Sequence, residues 1–225
     1  MNRLLLATAL LIALPAFPQT SAPPNTGNTF KDTSPLKPPA GAKVAIFAFE
    51  DLECPACARA FPMVQSAIDH YKIPLVRHDF PLKMHLWSFE AAVNARYLQD
   101  KVSPKTAEEY RGAVFAAQSS IASKEDLRNF TQRWFQAHHL NMPFVMDPAG
   151  LFTAEVNADQ TLGERIGITQ TPTIWVVTAK SWVQVTDPVR LYQTIDAAIA
   201  QTNASASTTS AAGNSKLRHA PTPQK

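Results

Sequence analysis

Cys54 and Cys57 are the only thiols in this 225-residue chain, three residues apart in the stretch FEDLECPACARAFP, residues 49–62. A pair at that spacing has three kinds of use. It can close a loop as a structural disulfide, supply two soft ligands to copper or zinc, or exchange electrons as a reactive dithiol. A staple is the weakest of these, because a loop of only a few residues contributes little on the loop-entropy account. Local sequence favours the dithiol. Cys54-Pro55 opens a helix, since proline is well tolerated at the first helical position, where its missing N–H is not needed. Cys57, Phe61, Val64 and Ile68 then follow at helical spacing. Cys57 therefore belongs to the buried face, and Cys54 sits at the cap, in reach of solvent. Unpaired N–H groups at a helix start favour the thiolate, which is the nucleophile. Cys54 is the expected attacking thiol and Cys57 the resolving one, with Pro55 and Ala56 tuning the pair.

The elements that must hold this pair read as an α/β pattern. KVAIFAF (43–49) is a short apolar, β-branched and aromatic run and predicts a buried strand leading into the cysteine helix, which Pro62 interrupts. IPLVRHDF (73–80) predicts a second strand, parallel to the first across a right-handed crossover. Helices are expected from Ser88 to about Asp100, from the Thr106-x-x-Glu109 capping box, from Ser123-x-x-Asp126, and over 149–166. TIWVVT (173–178) and residues 182–186 predict a hairpin, and Pro188 to Ala200 a closing amphipathic helix. The order is βαβ, a block of helices at about 86–148, then ββα, over residues 43–200.

Compartment follows from the first 22 residues, MNRLLLATALLIALPAFPQTSA, in which one positive residue, an apolar run from Leu4 to Leu14, and small residues succeed one another. That is the order of a secretory signal peptide, with cleavage after Ala16 or Ala22, and the run is too short to span a bilayer. Export to the periplasm in soluble form is expected. The formal net charge of +3, or +2 without Arg3, gives no reason to propose nucleic acid or an anionic membrane as partner. Residues 23–42, with Phe30 and Leu36 as their only large apolar side chains, predict a disordered linker, and the Ser/Thr/Ala/Asn-rich residues 201–225 a disordered tail. The chain has only seven glycines, and no phosphate-binding loop or serine-nucleophile elbow stands out. No cofactor is implied; the dithiol itself carries the electrons.

The Cys-Pro-Ala-Cys turn with Pro62 five residues on resembles the active-site helix of the thioredoxin superfamily, and Gln170-Thr171-Pro172-Thr173 before TIWVV resembles its cis-proline loop. The helices between the two halves, together with DFPLKMH (79–85) and NADQTLGERIGITQTPTIWVV (157–177), are similar to the DsbA-type branch. The resemblance implies a thioredoxin-like fold with a DsbA-type helical insertion and a thiol–disulfide oxidoreductase. Thr171 and Pro172 would hold the partner chain, which would be an unfolded or newly exported polypeptide. A quinone-linked membrane oxidase of the DsbB or VKOR kind would regenerate the disulfide. Both thioredoxin and DsbA place a buried acid six residues before the first cysteine, and here that residue is Ala48. Glu50 or Asp51, if turned inward near Cys57, would substitute; Glu53, beside Cys54, would oppose the thiolate. Ala56 stands where the best-known strong oxidant has histidine, so the direction of exchange stays open between oxidase and reductase or isomerase. The isomerase branch dimerises through an N-terminal domain that residues 23–42 are too few to make, and a monomer is expected. A copper or zinc carrier would recruit histidines from positions 70, 78, 85, 138, 139 and 218. Such a carrier would have no use for Pro62 and Thr171-Pro172 in register.

Overall fold

Strand β1 (Val44–Glu50) is buried at every residue and lies at the centre of the molecule. α1 (Pro55–Tyr71) carries the chain back to β2 (Leu75–Asp79), which pairs parallel with β1. A helical block follows: α2 (Ser88–Lys101), α3 (Pro104–Ala117) and α4 (Lys124–Ala137). α5 (Leu151–Ile166) returns to the sheet, where β3 (Thr173–Thr178) pairs antiparallel with β1, and β4 (Trp182–Val185) with β3. α6 (Leu191–Lys216) closes the chain. The strand order is β2-β1-β3-β4. This is the expected βαβ, helices, ββα succession of a thioredoxin-like fold. The computed structural model describes residues 30–216; the signal peptide expected at 1–22 and residues 217–225 lie outside the described residues.

β1 is apolar throughout because both faces of the sheet are covered. Val44, Ile46 and Ala48 face α1 and α6, packing with Ala60, Val64 and Ala67 of the one and Leu191 and Ile195 of the other. Ala45, Phe47 and Phe49 face the opposite side, among Ile166, Trp175 and Trp182. α1 is continuous through Pro62, and its buried stripe is Cys57, Ala60, Val64 and Ala67, with Phe61 and Ile68 on the flanks.

Three expectations need correction. Residues 30–42, expected to be disordered, pack on the sheet as an irregular strap. Phe30 meets the indoles of Trp175 and Trp182 edge-on, Leu36 is buried, and Lys31 N–H donates to Ile166 O at 2.7 Å. Two large apolar side chains and one backbone bond are enough to hold a segment whose ordering cost is already lowered by its prolines. Helix α3 does not start at the Thr106-x-x-Glu109 box. Ser103 caps it by accepting from Thr106 N–H, Pro104 takes the first position, and Glu109 pairs with Lys105 instead. Ser123 does cap α4 as its sequence predicts. Finally, α6 carries helical backbone past Ala200 to Lys216, into the stretch expected to be a tail. An established helix extends at low cost until something stops it, and no proline or glycine stands before Gly213.

β2 is fastened to the helical block by buried charge. Asp79, at its end, accepts from Arg111 of α3 through both carboxylate oxygens (2.6 and 2.9 Å) and from Arg96 Nε of α2 at 2.6 Å. Asp159 of α5 receives the other end of Arg96, accepts from Asp79 N–H, and lies 2.7 Å from His78 Nδ1. Burial works to raise the Asp79 pKa, but Arg111 and Arg96 outweigh it and bring it down to about 2.

Candidate active site

The dithiol sits where β1 ends and α1 begins, in the cluster that joins the sheet to the helical block, among Leu52, Trp87, Tyr110 and Ile121. Cys54 is the N-cap of α1, with Pro55 in the first turn. Both cysteines are free thiols, and both are more covered than the cap position suggests: Cys54 is 7% exposed and Cys57 0%. When protonated, Cys54 Sγ donates to Thr171 O at 3.3 Å, and Asp51 N–H donates to Cys57 Sγ at 3.4 Å. The Thr171-Pro172 peptide bond is cis. So residues 117 positions apart meet at the Cys54 sulfur.

Their electrostatic environments differ sharply. The Cys54 pKa is lowered from the ordinary 9.0 to about 5, first by the Cys57 thiol as hydrogen-bond donor, with the Thr171 side chain and the N–H groups of Cys57 and Ala56 adding to it against desolvation. Thr171 Oγ1 is buried and without a hydrogen-bond partner, which leaves its hydroxyl free to turn to the anion. The Cys57 pKa is pushed well above the ordinary range, first by burial, then by the Cys54 thiolate, and also by the charge of Glu50. One sulfur is therefore an anion at neutral pH and the other holds its proton.

A buried acid stands two residues after Ala48. Ala48 and Glu50 lie on the same face of β1, by the two-residue alternation of a strand. The Glu50 side chain is 1% exposed; its Oε2 accepts from Arg77 Nε at 2.5 Å, and its Oε1 has no partner. Arg77 also pairs with Glu108 of α3, which is partly exposed. Asp51 is buried as well, but its carboxylate is fully engaged: it accepts from Glu53 N–H (2.8 Å), Leu82 N–H (2.7 Å) and Ser88 Oγ, and lies 2.6 Å from His85 Nδ1. Of the two acids that the sequence offered, Glu50 has the free oxygen and is the one whose charge reaches Cys57.

Glu53 does not act as a bare charge beside Cys54. Its Oε2 accepts from Trp87 N–H (2.7 Å) and Ser88 N–H (3.0 Å) at the start of α2, where the unpaired N–H groups favour an anion. Gln118, just past α3, donates from Nε2 to Leu52 O (2.7 Å) and Cys54 O (3.1 Å) and braces the turn from the other side. Neither Gln118 nor Arg77 carries a sequence signal for this, since each reaches the turn from a distant segment. His85 approaches the site through Asp51. His138 stacks on Trp134 and hydrogen-bonds its carbonyl at the end of α4, a structural role. Among the described residues, no three His, Cys, Asp or Glu side chains come together in a group that could hold a metal ion. Nor is any helix among them long and apolar enough to cross a membrane.

A buried, polarised dithiol at a strand-to-helix turn, facing a cis-proline loop, defines a thioredoxin-fold protein built for thiol–disulfide exchange. The chain belongs to the thioredoxin family, whose model matches residues 39–197. Similar solved structures include alpha-DsbA1 of Wolbachia pipientis, at 16% identity over 75% of this chain and 92% of that one, with a TM-score of 0.61. The thiol-disulfide exchange protein alpha-DsbA2 of the same organism is 18% identical over 71% of this chain and 84% of that one, with a TM-score of 0.51. ScsC of Proteus mirabilis in a transitional conformation is 15% identical over 73% and 71%, with a TM-score of 0.56. No curated protein matches the sequence.

Proposed function

We propose that this protein is an exported disulfide donor that oxidises unfolded or newly exported polypeptides in the periplasm. In its oxidised form, a partner thiolate attacks Cys54 Sγ, the Cys54–Cys57 bond breaks, and Cys57 leaves with the electron pair. Glu50, which has a buried carboxylate oxygen without a partner and whose charge reaches Cys57, delivers the proton that Cys57 takes up and receives it back when the disulfide re-forms. A second partner thiol then attacks the partner sulfur of the mixed disulfide and releases Cys54 as the thiolate. Two electrons and two protons leave the partner, which gains one disulfide. A quinone-linked membrane oxidase restores the Cys54–Cys57 bond, and no further cofactor is needed. Pro55 and Ala56 shape the turn, while Thr171 and Pro172 hold the partner chain.

The observation that carries the direction is the Cys54 thiolate, favoured down to about pH 5. Stabilising the reduced form makes a dithiol more oxidising, and thiolate pKa values of about 7 and 3.5 accompany the reductant thioredoxin and the oxidant DsbA. Cys54 lies between them without the histidine at Ala56, because the Cys57 thiol first, and then Thr171 and the helix N–H groups, serve the anion instead. Equilibration in glutathione buffers is expected to give a reduction potential between about −270 and −120 mV, the thioredoxin and DsbA values. A value at the thioredoxin end would make the protein a reductase. Glu50→Gln should slow turnover of a reduced polypeptide by about a hundredfold, the lower end of a positioned acid–base group. Alkylation of Cys54 should be unaffected; turnover at the wild-type rate would remove Glu50 from the mechanism.

A further inference from the structure

Leu52, Glu53 and Cys54, consecutive in the dithiol turn, are each held by the helical block. Gln118, in the 3₁₀ turn that follows α3, donates from one nitrogen to Leu52 O at 2.7 Å and to Cys54 O at 3.1 Å. Between those carbonyls, Glu53 Oε2 accepts from Trp87 N–H at 2.7 Å. The two anchors are themselves joined. Trp87 Nε1 donates to Ile121 O at 3.1 Å, and Ile121 N–H donates to Gln118 O at 3.2 Å. Hydrogen bonds therefore close a ring, from the dithiol turn through the start of α2 to Ile121 and Gln118 and back. Leu52 is 2% exposed, and its carbonyl has no other hydrogen-bond partner among the described residues. The Cys54 carbonyl belongs to the cap of α1 and also accepts Ala58 N–H at 3.1 Å.

We propose that Gln118 is a positioning residue for thiol–disulfide exchange: it fixes the turn at Leu52 and Cys54, so that the Cys54 sulfur stays aimed at the first N–H groups of α1 and at Thr171. The inference rests on the reading of Cys54 as the exchanging thiol, and it holds whichever way the electrons run. Cys54 caps α1 with extended backbone, φ −81° and ψ 118°. Its ψ sets the angle between the side chain and the helix start that follows. One amide nitrogen gripping the carbonyls on either side of Glu53 fixes that angle from outside the helix. The same nitrogen turns the positive end of an amide towards the Cys54 carbonyl oxygen, whose negative end opposes an anion on its own residue. Gln118 acts at one remove, since its hydrogen bonds go to carbonyls and not to sulfur. A reactive group is only as precisely placed as the groups that support it, and this support comes from the helical block. The redox poise of a dithiol on the sheet is thereby set in part by the inserted helices.

The test is Gln118→Met, which keeps the length and bulk of the side chain and removes the donor. Thiolate absorbance against pH should show the Cys54 pKa rising from about 5 by about one pH unit, the size of one lost hydrogen bond. At neutral pH the thiolate prevails before and after the change. The equilibrium with glutathione should therefore move about tenfold towards the oxidised protein, or about 30 mV. Gln118→Glu sets a carboxylate against the same two carbonyls; it should raise the pKa further, and it reads the same effect should Q118M fold poorly. Gln160→Met is the control, because Gln160 Nε2 also donates to a loop carbonyl, Pro81 O at 2.8 Å, outside the turn. It should lose similar stability and leave the pKa and the glutathione equilibrium unchanged. Wild-type values of both in the two Gln118 variants, or an equal shift in Q160M, would overturn the assignment and leave Gln118 a structural brace. A wild-type Cys54 pKa near the ordinary 9.0 would instead remove the reading beneath it, and the inference with it.

Discussion

Asp79→Ala is expected to cost about 3–5 kcal/mol of stability, the loss typical of a buried ion pair broken from one side. Its partner Arg111 is 1% exposed, its Nε already lacks a partner, and removal of the carboxylate would leave the guanidinium charged in the core. Arg96 would lose the same anchor. Against a total of about 5–15 kcal/mol for an ordinary domain this is a large fraction. Urea unfolding would read it as a lower midpoint with an unchanged slope. The double variant D79A/R111M should recover much of the loss, because it removes the uncompensated charge. A cost below about 1 kcal/mol for Asp79→Ala alone would show that the network does not bind β2 to the helices. The depressed pKa fixes the pH window as well. The contribution is present in full above the ordinary carboxyl value of 3.8, and is lost only as pH falls towards about 2.

Cys57→Ala is expected to move the Cys54 pKa from about 5 most of the way back to 9, because the Cys57 thiol is the largest cause of the lowering. Thr171→Val should move it less. Ultraviolet absorbance of the thiolate against pH reads both, and a value still near 5 in Cys57→Ala would assign the effect to the helix start alone. The same ionisation shapes the reduction potential. A lowered pKa stabilises the reduced form, fully above the ordinary thiol value and not at all below the folded one. Above about pH 5 one proton accompanies two electrons, and the potential should fall by about 30 mV per pH unit. Below that, both thiols are protonated and the slope should double to about 59 mV per pH unit.

How much of this was legible in the sequence depends on the range of each interaction. Helical spacing placed Cys54 at a cap and Cys57 on the buried stripe, and the alternation of apolar runs marked the strands. Such signals are local. The meeting of Cys54 with Thr171 is not local, and it was reached only through the resemblance to thioredoxin-like loops. The choice between Glu50 and Asp51 turned on one residue of strand length. β1 extends to Glu50, which keeps that side chain on the Ala48 face, and Asp51 falls in the turn, where backbone N–H groups converge on it. The strap was missed because composition speaks for a whole segment, whereas Phe30 and Leu36 act singly. Asp79, Arg96, Arg111 and Asp159 give no pattern at all until four elements fold around them.

The strap bears on the order in which the molecule can be assembled. Phe30 and Lys31 belong to the first described residues, yet their partners are Ile166, Trp175 and Trp182. β1 finds β2 early, across a single helix, but waits for β3 until the whole helical block has followed. A chain that emerges from its N-terminus must therefore carry Phe30, Leu36 and the open Phe47–Phe49 face of β1 unpaired through most of its appearance. Contacts of such long sequence separation slow folding and leave apolar surface exposed meanwhile. The segment that composition reads as a mere linker can find its place on the sheet only once β3 and β4 have formed.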